Sequence, residues 1–437
     1  MTLRFGTDGV RGRAYDELSL ADVTQLARAI ARVLPSEKVV IGRDTRLSGP
    51  DFVAALAAGL AHEGARAGDL GVAPTPMVAY AARTESIPGL VVSASHNSYV
   101  DNGVKVFAPG GRKLADDTQA ELESELGRLT GNVRESAPPV AEVGVAGAYV
   151  ASVIDSIEGR DLSGLRVVLD CANGAASHLV PDALRHLGAE VTTIHAEPDG
   201  RNINDGCGST HPADLRRAVV DRGASVGLAF DGDADRVIAV DELGGVVDGD
   251  HIMAMAAIDL HGRGRLSEST VVATVMANLG FRLAMGERGI RVVETPVGDR
   301  HVLAALDANE WSLGGEQSGH VIFHDLATTG DGFLTGLQVL DLSRRRGEPL
   351  SVMAAEAMTS LPQVLENVPV SSPVPDIADR LAEELVAAED RLGTTGRVLV
   401  RPSGTEPVVR VMVEAGDEAE ARVVVAELVA AVEAAAR

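Results

Sequence analysis

Residues 165–191 read LRVVLDCANGAASHLVPDALRHLGAEV. The apolar, β-branched run at 165–170 has the length and composition of a buried strand, and 177–187 carries apolar residues at helical spacing. Gly188 supplies the left-handed residue on which helices commonly close, and Ala189-Glu190-Val191 opens a second strand. The same order of strand, helix, glycine and strand occurs twice more. Residues 38–42 lead through 51–63 to Gly64 and Ala65-Arg66-Ala67, and residues 270–274 lead through 279–288 to Gly289 and 290–293. Apolar strands alternating with amphipathic helices imply right-handed βαβ crossovers and sheets of substantial parallel character, covered on both faces. The repeats are spaced by roughly 100 residues or more, which suits separate domains better than one doubly wound sheet.

Past Pro362 the pattern changes. Residues 364–375 carry three prolines and read as a linker in which a hinge would lie. A helix at 376–389, strands at 398–400 and 408–414 and a closing helix at 417–435 read as a smaller α+β domain. The expected fold class is therefore α/β, with three repeated α/β domains containing mixed sheets and a smaller C-terminal α+β domain. The expected boundaries are 1–150, 151–250, 251–360 and 361–437.

The 437 residues are 45% hydrophobic and 23% charged, an ordinary globular composition. A net charge of −24 argues against nucleic acid, because no Lys/Arg cluster forms a basic stripe. No run of 18 or more apolar residues suggests a membrane, and the N-terminus lacks a charged stretch followed by an apolar one, so the cytoplasm is expected. Cys171 and Cys207 form no C-x-x-C pair and are expected to be unpaired thiols. The oligomeric state stays open, a dimer included.

Two motifs carry the chemistry. Ser93-Ala94-Ser95-His96-Asn97 offers a hydroxyl nucleophile, and Asp231-Gly232-Asp233-Ala234-Asp235 offers a hard-metal site. A serine oxygen carries phosphate poorly unless the phosphoryl charge is neutralised nearby, and a divalent cation does this well. The three carboxylates at i, i+2 and i+4 follow the apolar run at 226–230, so they are expected at a strand end where alternate side chains converge on one ion. A calcium EF-hand fits less well: Glu242 stands at loop position 12, but Arg236 occupies the position that requires glycine, and the flanks read as strands where helices are required. Mg²⁺ is preferred, since a phosphate oxygen would complete its shell. Adjacent Ser95 and His96 make a poor hydrolytic pair, and the G-x-S-x-G elbow is absent, so His96 is read as local support.

Lys105, after the turn Asp101-Asn102-Gly103, could return to this pocket as proton carrier or phosphate partner. Gly314-Gly315-Glu316-Gln317-Ser318-Gly319-His320 groups a carboxylate, an amide and a hydroxyl suited to sugar hydroxyls. Arg401-Pro402-Ser403-Gly404-Thr405-Glu406-Pro407 with Arg410 joins two hydroxyls, a relaxed backbone and two guanidinium forks between strands, a plausible phosphate cradle. In so acidic a chain the cations beside these motifs, Arg11, Arg43, Lys105, Arg236, Arg401 and Arg410, mark where an anionic substrate would bind.

In this order the motifs resemble the α-D-phosphohexomutase superfamily along essentially the whole chain, and within it the glucosamine-phosphate branch. The strings are GTDGVRG at 6–12, GRDTRLSG at 42–49, Pro74-Thr75-Pro76, DCANGA at 170–175, TPVGDR at 295–300, GGEQSGH at 314–320 and Thr328-Thr329-Gly330-Asp331-Gly332. The resemblance implies four domains around a central cleft, and interconversion of glucosamine 6-phosphate and glucosamine 1-phosphate on the way to UDP-N-acetylglucosamine and the cell wall. It implies Ser95 as the phosphorylated serine, and Mg²⁺ held by Asp231, Asp233, Asp235 and a phosphoserine oxygen. Glu316 and Ser318 would contact sugar hydroxyls, while Arg401, Ser403, Gly404 and Thr405, with Arg410 beside them, would hold the phosphate not being transferred.

Arg11 and Lys105 would line the cleft near the phosphoserine. Three aspartates and a phosphoserine of about −1.5 to −2 exceed the charge of one Mg²⁺, so Arg236, Lys105 and Arg11 are needed close by. Glucosamine 1,6-bisphosphate, or another hexose 1,6-bisphosphate, would be the activator, and the bisphosphorylated sugar would turn around in the cleft as a fourth domain moves after the linker. The chain departs from the family at Ser98, where proline is common. It departs again at Asp299, where the glucose/mannose branch commonly has histidine; Arg300 and His301 follow, and Arg300 is taken with His96 among the catalytic candidates.

Three other readings compete. A glucose- or mannose-phosphate mutase would differ around Glu316. A metal-assisted phosphatase would use the same serine and metal but release phosphate to water. A non-catalytic sugar-phosphate sensor should lack Ser95 or an aspartate, and this chain keeps all four.

Overall fold

The computed structural model describes residues 5–6, 9–129, 141–372, 374–403 and 407–436. The chain divides into two compact units, Met1–Met276 with Ile290–Ala355, and Ala277–Gly289 with Glu356–Arg437. The first unit contains three sheets. The first has the strand order Val10–Arg13, Asp101–Ala108, Gly89–Val92, Lys38–Arg43, Arg66–Val72 and Ala141–Glu142, with Arg112–Lys113 paired to Asp101–Ala108. The second runs Val246–Val247, Val237–Asp241, Val226–Phe230, Arg166–Asp170, Glu190–Ile194, and the third Arg291–Thr295, Thr270–Thr274, Leu313–Gly315, Val321–Phe323.

All three sheets are mixed, as their sequences imply. Each contains parallel strands joined by helical crossovers, such as Arg166–Asp170 beside Glu190–Ile194 and Thr270–Thr274 beside Arg291–Thr295. The three glycines read as helix stops have φ of +85° (Gly64), +89° (Gly188) and +69° (Gly289), a region closed to most side chains. Burial follows the apolar runs. Every residue of Val226–Phe230 is buried, and Leu26, Ile30, Phe52 and Leu56 pack with Ile41, Leu90 and Val92 in the core of the first sheet.

One device recurs. In each sheet a strand with a parallel neighbour is followed by a loop and an antiparallel return strand: Gly89–Val92 with Asp101–Ala108, Val226–Phe230 with Val237–Asp241, and Leu313–Gly315 with Val321–Phe323. The three loops between them carry Ser95, the aspartates and Glu316. They leave the carboxyl ends of parallel strands, where open α/β sheets place their ligands.

The second unit is a three-stranded antiparallel sheet, Gln363–Pro369, Val408–Glu414, Arg397–Pro402, with the helix Glu418–Ala435. Two expectations are corrected here. The segment read as a proline-bearing linker is a strand over Gln363–Pro369, paired with Val408–Glu414 along its length. Val364 and Val368 bury one face of it, and its position at the sheet edge tolerates Pro369. The helix of the third repeat, Leu279–Glu287, groups with the second unit and not with its own repeat. Leu279 N–H donates to the buried Glu414 carboxylate (2.9 Å), and the Asn278 amide accepts from Leu361 N–H (2.9 Å) and donates to Leu361 O (3.0 Å). Periodicity identifies a helix but not its packing partner.

Candidate active site

Ser95 lies just beyond Gly89–Val92 and is 1% exposed, with φ +51°. A left-handed non-glycine residue costs about 1–3 kcal/mol and persists only where its surroundings hold it. Here they do. Ser95 N–H donates to Ser93 Oγ (2.9 Å), whose hydroxyl donates to Asp44 (2.7 Å). Ser95 O accepts from Arg46 Nη2 (2.9 Å) and Asn204 Nδ2 (2.8 Å). The buried Arg46 fork also donates to Asn97 O (2.8 Å), Asp101 O (3.0 Å), Ser98 O and the Asp44 carboxylate (2.8 Å). Its five donors thus meet five acceptors, four of them carbonyls of the serine loop.

The Ser95 hydroxyl donates to Asp231 Oδ2 at 2.7 Å. Asp231, Asp233 and Asp235 are all buried, each with an oxygen within 4.8 Å of the others. Their convergence does not arise from strand alternation, as the spacing suggested. The strand ends at Phe230, and a turn with Ala234 at φ +55° brings the carboxylates together, closed by Ala234 N–H to Asp231 O (3.1 Å). Gly232 permits it, because a Cβ there would stand 2.6 Å from Ser95 O.

Burial and the neighbouring Asp235 and Asp233 push Asp231 up to about 7. Burial would also raise Asp235, but Lys105 and then His320 hold it well below the carboxylate range. Lys105 Nζ lies 2.7 Å from both Asp233 and Asp235. Even so, among the described residues Asp233 Oδ1 and Asp235 Oδ1 are buried with no hydrogen-bond partner. Crowded carboxylates with orphaned oxygens and an all-oxygen donor set fit a hard divalent cation.

His96 Nδ1 is 3.4 Å from Ser95 Oγ and 2.8 Å from Arg236 Nη1. Burial, then Arg236 and Arg11, lower it to about 4, so the ring is neutral at neutral pH. Arg236 N–H donates to Asp231 Oδ1 (3.2 Å), and Arg11 stands on Val10–Arg13 opposite Gly103, two residues before Lys105. His320, unassigned from sequence, bridges Asp235 (Nδ1, 3.6 Å) and Asp299 (Nε2, 3.2 Å), and Asp299 pairs with Lys113. Burial would lower His320, but the Asp299 and Asp235 carboxylates raise it. Arg300 instead pairs with Asp116 (2.8 Å), and no described contact joins it to Ser95 or the aspartates. Glu316 accepts from Gly298 N–H (3.2 Å) and from the exposed Ser318 hydroxyl (3.5 Å), so this sequence pair does meet.

Four further residues escaped the sequence reading. Asp44, Arg46 and Thr75 lie in strings noticed only for their resemblance; Thr75 donates its hydroxyl to Asp233 and its N–H to Asp233 O (2.9 Å). Asn204 lies in no motif, and nothing in the sequence points to it.

In the second unit Arg401 and Arg410 face each other across adjacent strands. Burial and then Arg410 lower the Arg401 guanidinium. Like charges directly opposite are destabilising, and an anion between them would remove the penalty. Ser403 N–H donates to Val408 O (2.9 Å) where this hairpin turns, while Gly404 and Thr405 lie outside the described residues.

Models of the phosphoglucomutase/phosphomannomutase family match the chain four times: α/β/α domain I at 2–131, domain II at 147–244, domain III at 248–361 and the C-terminal domain at 365–431. A phosphoglucosamine mutase from Corynebacterium jeikeium is 49% identical over 98% of each chain, and one from Frankia alni is 49% identical over 100% of this chain and 99% of its own. A phosphoglucomutase/phosphomannomutase family protein from Burkholderia thailandensis superposes with a TM-score of 0.81 at 25% identity, covering 98% and 97% of the chains. Aspergillus fumigatus N-acetylphosphoglucosamine mutase, solved with GlcNAc-6P and magnesium, has the same fold, with a TM-score of 0.72 at 18% identity over 100% and 96%.

Proposed function

Because the chain belongs to the phosphoglucomutase/phosphomannomutase family, we propose that it is an isomerase that interconverts glucosamine 6-phosphate and glucosamine 1-phosphate, with Ser95 as its phosphate carrier. The substrate follows from relatives of that activity at 49% identity over nearly the whole chain. For the chemistry, the observation that carries most is the Ser95 hydroxyl at 2.7 Å from Asp231, inside a buried carboxylate triad.

On this reading phosphorylated Ser95 gives its phosphoryl group to the free sugar hydroxyl. The Ser95 O–P bond breaks, a new O–P bond forms on the sugar, the sugar hydroxyl proton leaves to a base, and a proton returns to the freed Ser95 oxygen. The bisphosphorylated sugar then returns its other phosphate to Ser95. Mg²⁺, held by Asp231, Asp233, Asp235 and a phosphoserine oxygen, would neutralise the phosphoryl charge. Lys105, bridged to two aspartates, acts as a cation and not as a proton carrier. Arg11 and Arg236 add positive charge beside Ser95, and the neutral His96 is the ring nearest its oxygen.

Glu316 and Ser318 hold sugar hydroxyls. Arg401, Ser403, Gly404, Thr405 and Arg410 hold the phosphate at rest. The activator is a hexose 1,6-bisphosphate, and the four domains follow the boundaries near 150, 250 and 360. A coupled assay of glucosamine 6-phosphate against glucose and mannose phosphates tests the substrate. The glucosamine ester should be isomerised with the highest kcat/KM; a preference for glucose or mannose would reassign the specificity.

A further inference from the structure

Two connections behind the serine loop, one after Arg166–Asp170 and one over 195–212, bring together a second set of donors, of a different kind. Asp170, at the end of Arg166–Asp170, is fully buried, and two backbone donors orient its carboxylate: Ala172 N–H to Oδ1 (2.9 Å) and Gly208 N–H to Oδ2 (3.0 Å). His195 follows Glu190–Ile194 with φ +47°, and Cys207 is fully buried. A carboxylate oxygen, an imidazole nitrogen and the sulfur of these residues lie within 4.8 Å of one another.

The histidine decides how the cluster reads. Its Nδ1 is 3.1 Å from Asp170 Oδ2, yet among the described residues it is buried without an aligned hydrogen bond. Its Nε2 is 3.4 Å from the Asp214 carboxylate, on the helix Ala213–Arg222. The Asp170 contact, then Asp214, raise the ring against the effect of burial, so two carboxylates face it and a positive charge is called for at Nδ1: a second proton, or a cation shared with Asp170 and Cys207. An outer carboxylate on one ring nitrogen, with the other turned toward an acid and a thiol, is how metal-binding histidines are usually supported.

We propose that Asp170, His195 and Cys207 form a second metal site, built for a borderline divalent ion of the zinc class. Mixed sulfur, nitrogen and oxygen donors select such an ion, whereas the all-oxygen triad selects a hard one. Binding releases the Cys207 proton to solvent as the thiolate forms. The ion would touch no substrate. It would tie together loops that brace the serine: Asn204 N–H donates to Ala172 O (2.9 Å) while its amide holds Ser95 O, and Ser209 N–H donates to Phe230 O (2.8 Å) just ahead of the triad.

The test uses the full chain, stripped by a chelator and titrated with Co²⁺ in excess Mg²⁺. The expected result is a near-ultraviolet thiolate-to-cobalt charge-transfer band that saturates at one equivalent and is bleached by Zn²⁺. It should vanish in Cys207→Ser, shown to be folded by circular dichroism, and persist in Asp233→Asn. No such band in the unaltered protein would overturn the proposal and leave His195 as a protonated ring between two acids. A band that survives Cys207→Ser, or one lost in Asp233→Asn, would overturn it equally.

Discussion

Asp233 and Arg46 show two ways in which a single side chain serves this site. Asp233 is buried among like charges, anchored by Thr75 and Lys105, with one oxygen unmatched among the described residues. Because outer-shell changes alone lower metal affinity by about 10- to 100-fold, Asp233→Asn should weaken Mg²⁺ binding by at least that factor. A Mg²⁺ titration of activity after chelation reads it directly, and full activity in excess chelator would remove the metal from the account. Arg46 touches no reacting group. Removing it strands Asp44 and four loop carbonyls, so Arg46→Ala should cost about 3–5 kcal/mol of stability, measured by denaturant unfolding. Arg46→Lys should recover little, since an ammonium cannot reproduce the fork. At this scale the meeting of Ser95 with the aspartate run was legible, because a hydroxyl motif and a spaced aspartate run stand out in the sequence. Arg46, Asn204 and His320 were not, because their partners lie tens of residues or more away in the chain.

The element that organises the chemistry is the strand, loop and antiparallel return found in all three α/β sheets. Hydrophobic periodicity revealed the strands and helices, and the glycine stops, well enough to identify the repeat. It did not reveal how the aspartate loop closes, since the turn depends on a left-handed Ala234 and on the space at Gly232. Nor did it find the strand at Gln363–Pro369, where prolines mask an edge strand. In the C-terminal hairpin, Arg401 and Arg410 sit opposite each other at an electrostatic penalty that a bound phosphate would relieve. A charge-assisted hydrogen bond contributes about 1.5–3 kcal/mol, so Arg401→Ala should lower substrate affinity by roughly 10- to 150-fold. Because the phosphate held there does not react in that half of the cycle, KM should rise more than kcat falls. A loss confined to kcat would contradict the role.

For the whole molecule, the order of the motifs points to a phosphohexomutase, and full-length relatives at 49% identity agree. Among the described residues no helix is long and apolar enough to cross a membrane. Packing partners were less legible than elements, as the grouping of Leu279–Glu287 with the C-terminal unit shows. A mutase of this kind differs from a phosphatase in that Ser95 carries a phosphate before each turnover and transfer to sugar outruns transfer to water. The direct measurement is intact mass with peptide mapping, before and after priming dephosphorylated protein with a hexose 1,6-bisphosphate, alongside isomerisation of glucosamine 6-phosphate. One added phosphate on Ser95 is expected, with activity rising in proportion to it, and neither in a folded Ser95→Ala variant. Turnover by fully unphosphorylated protein without bisphosphate, or inorganic phosphate appearing as fast as the isomer, would contradict it.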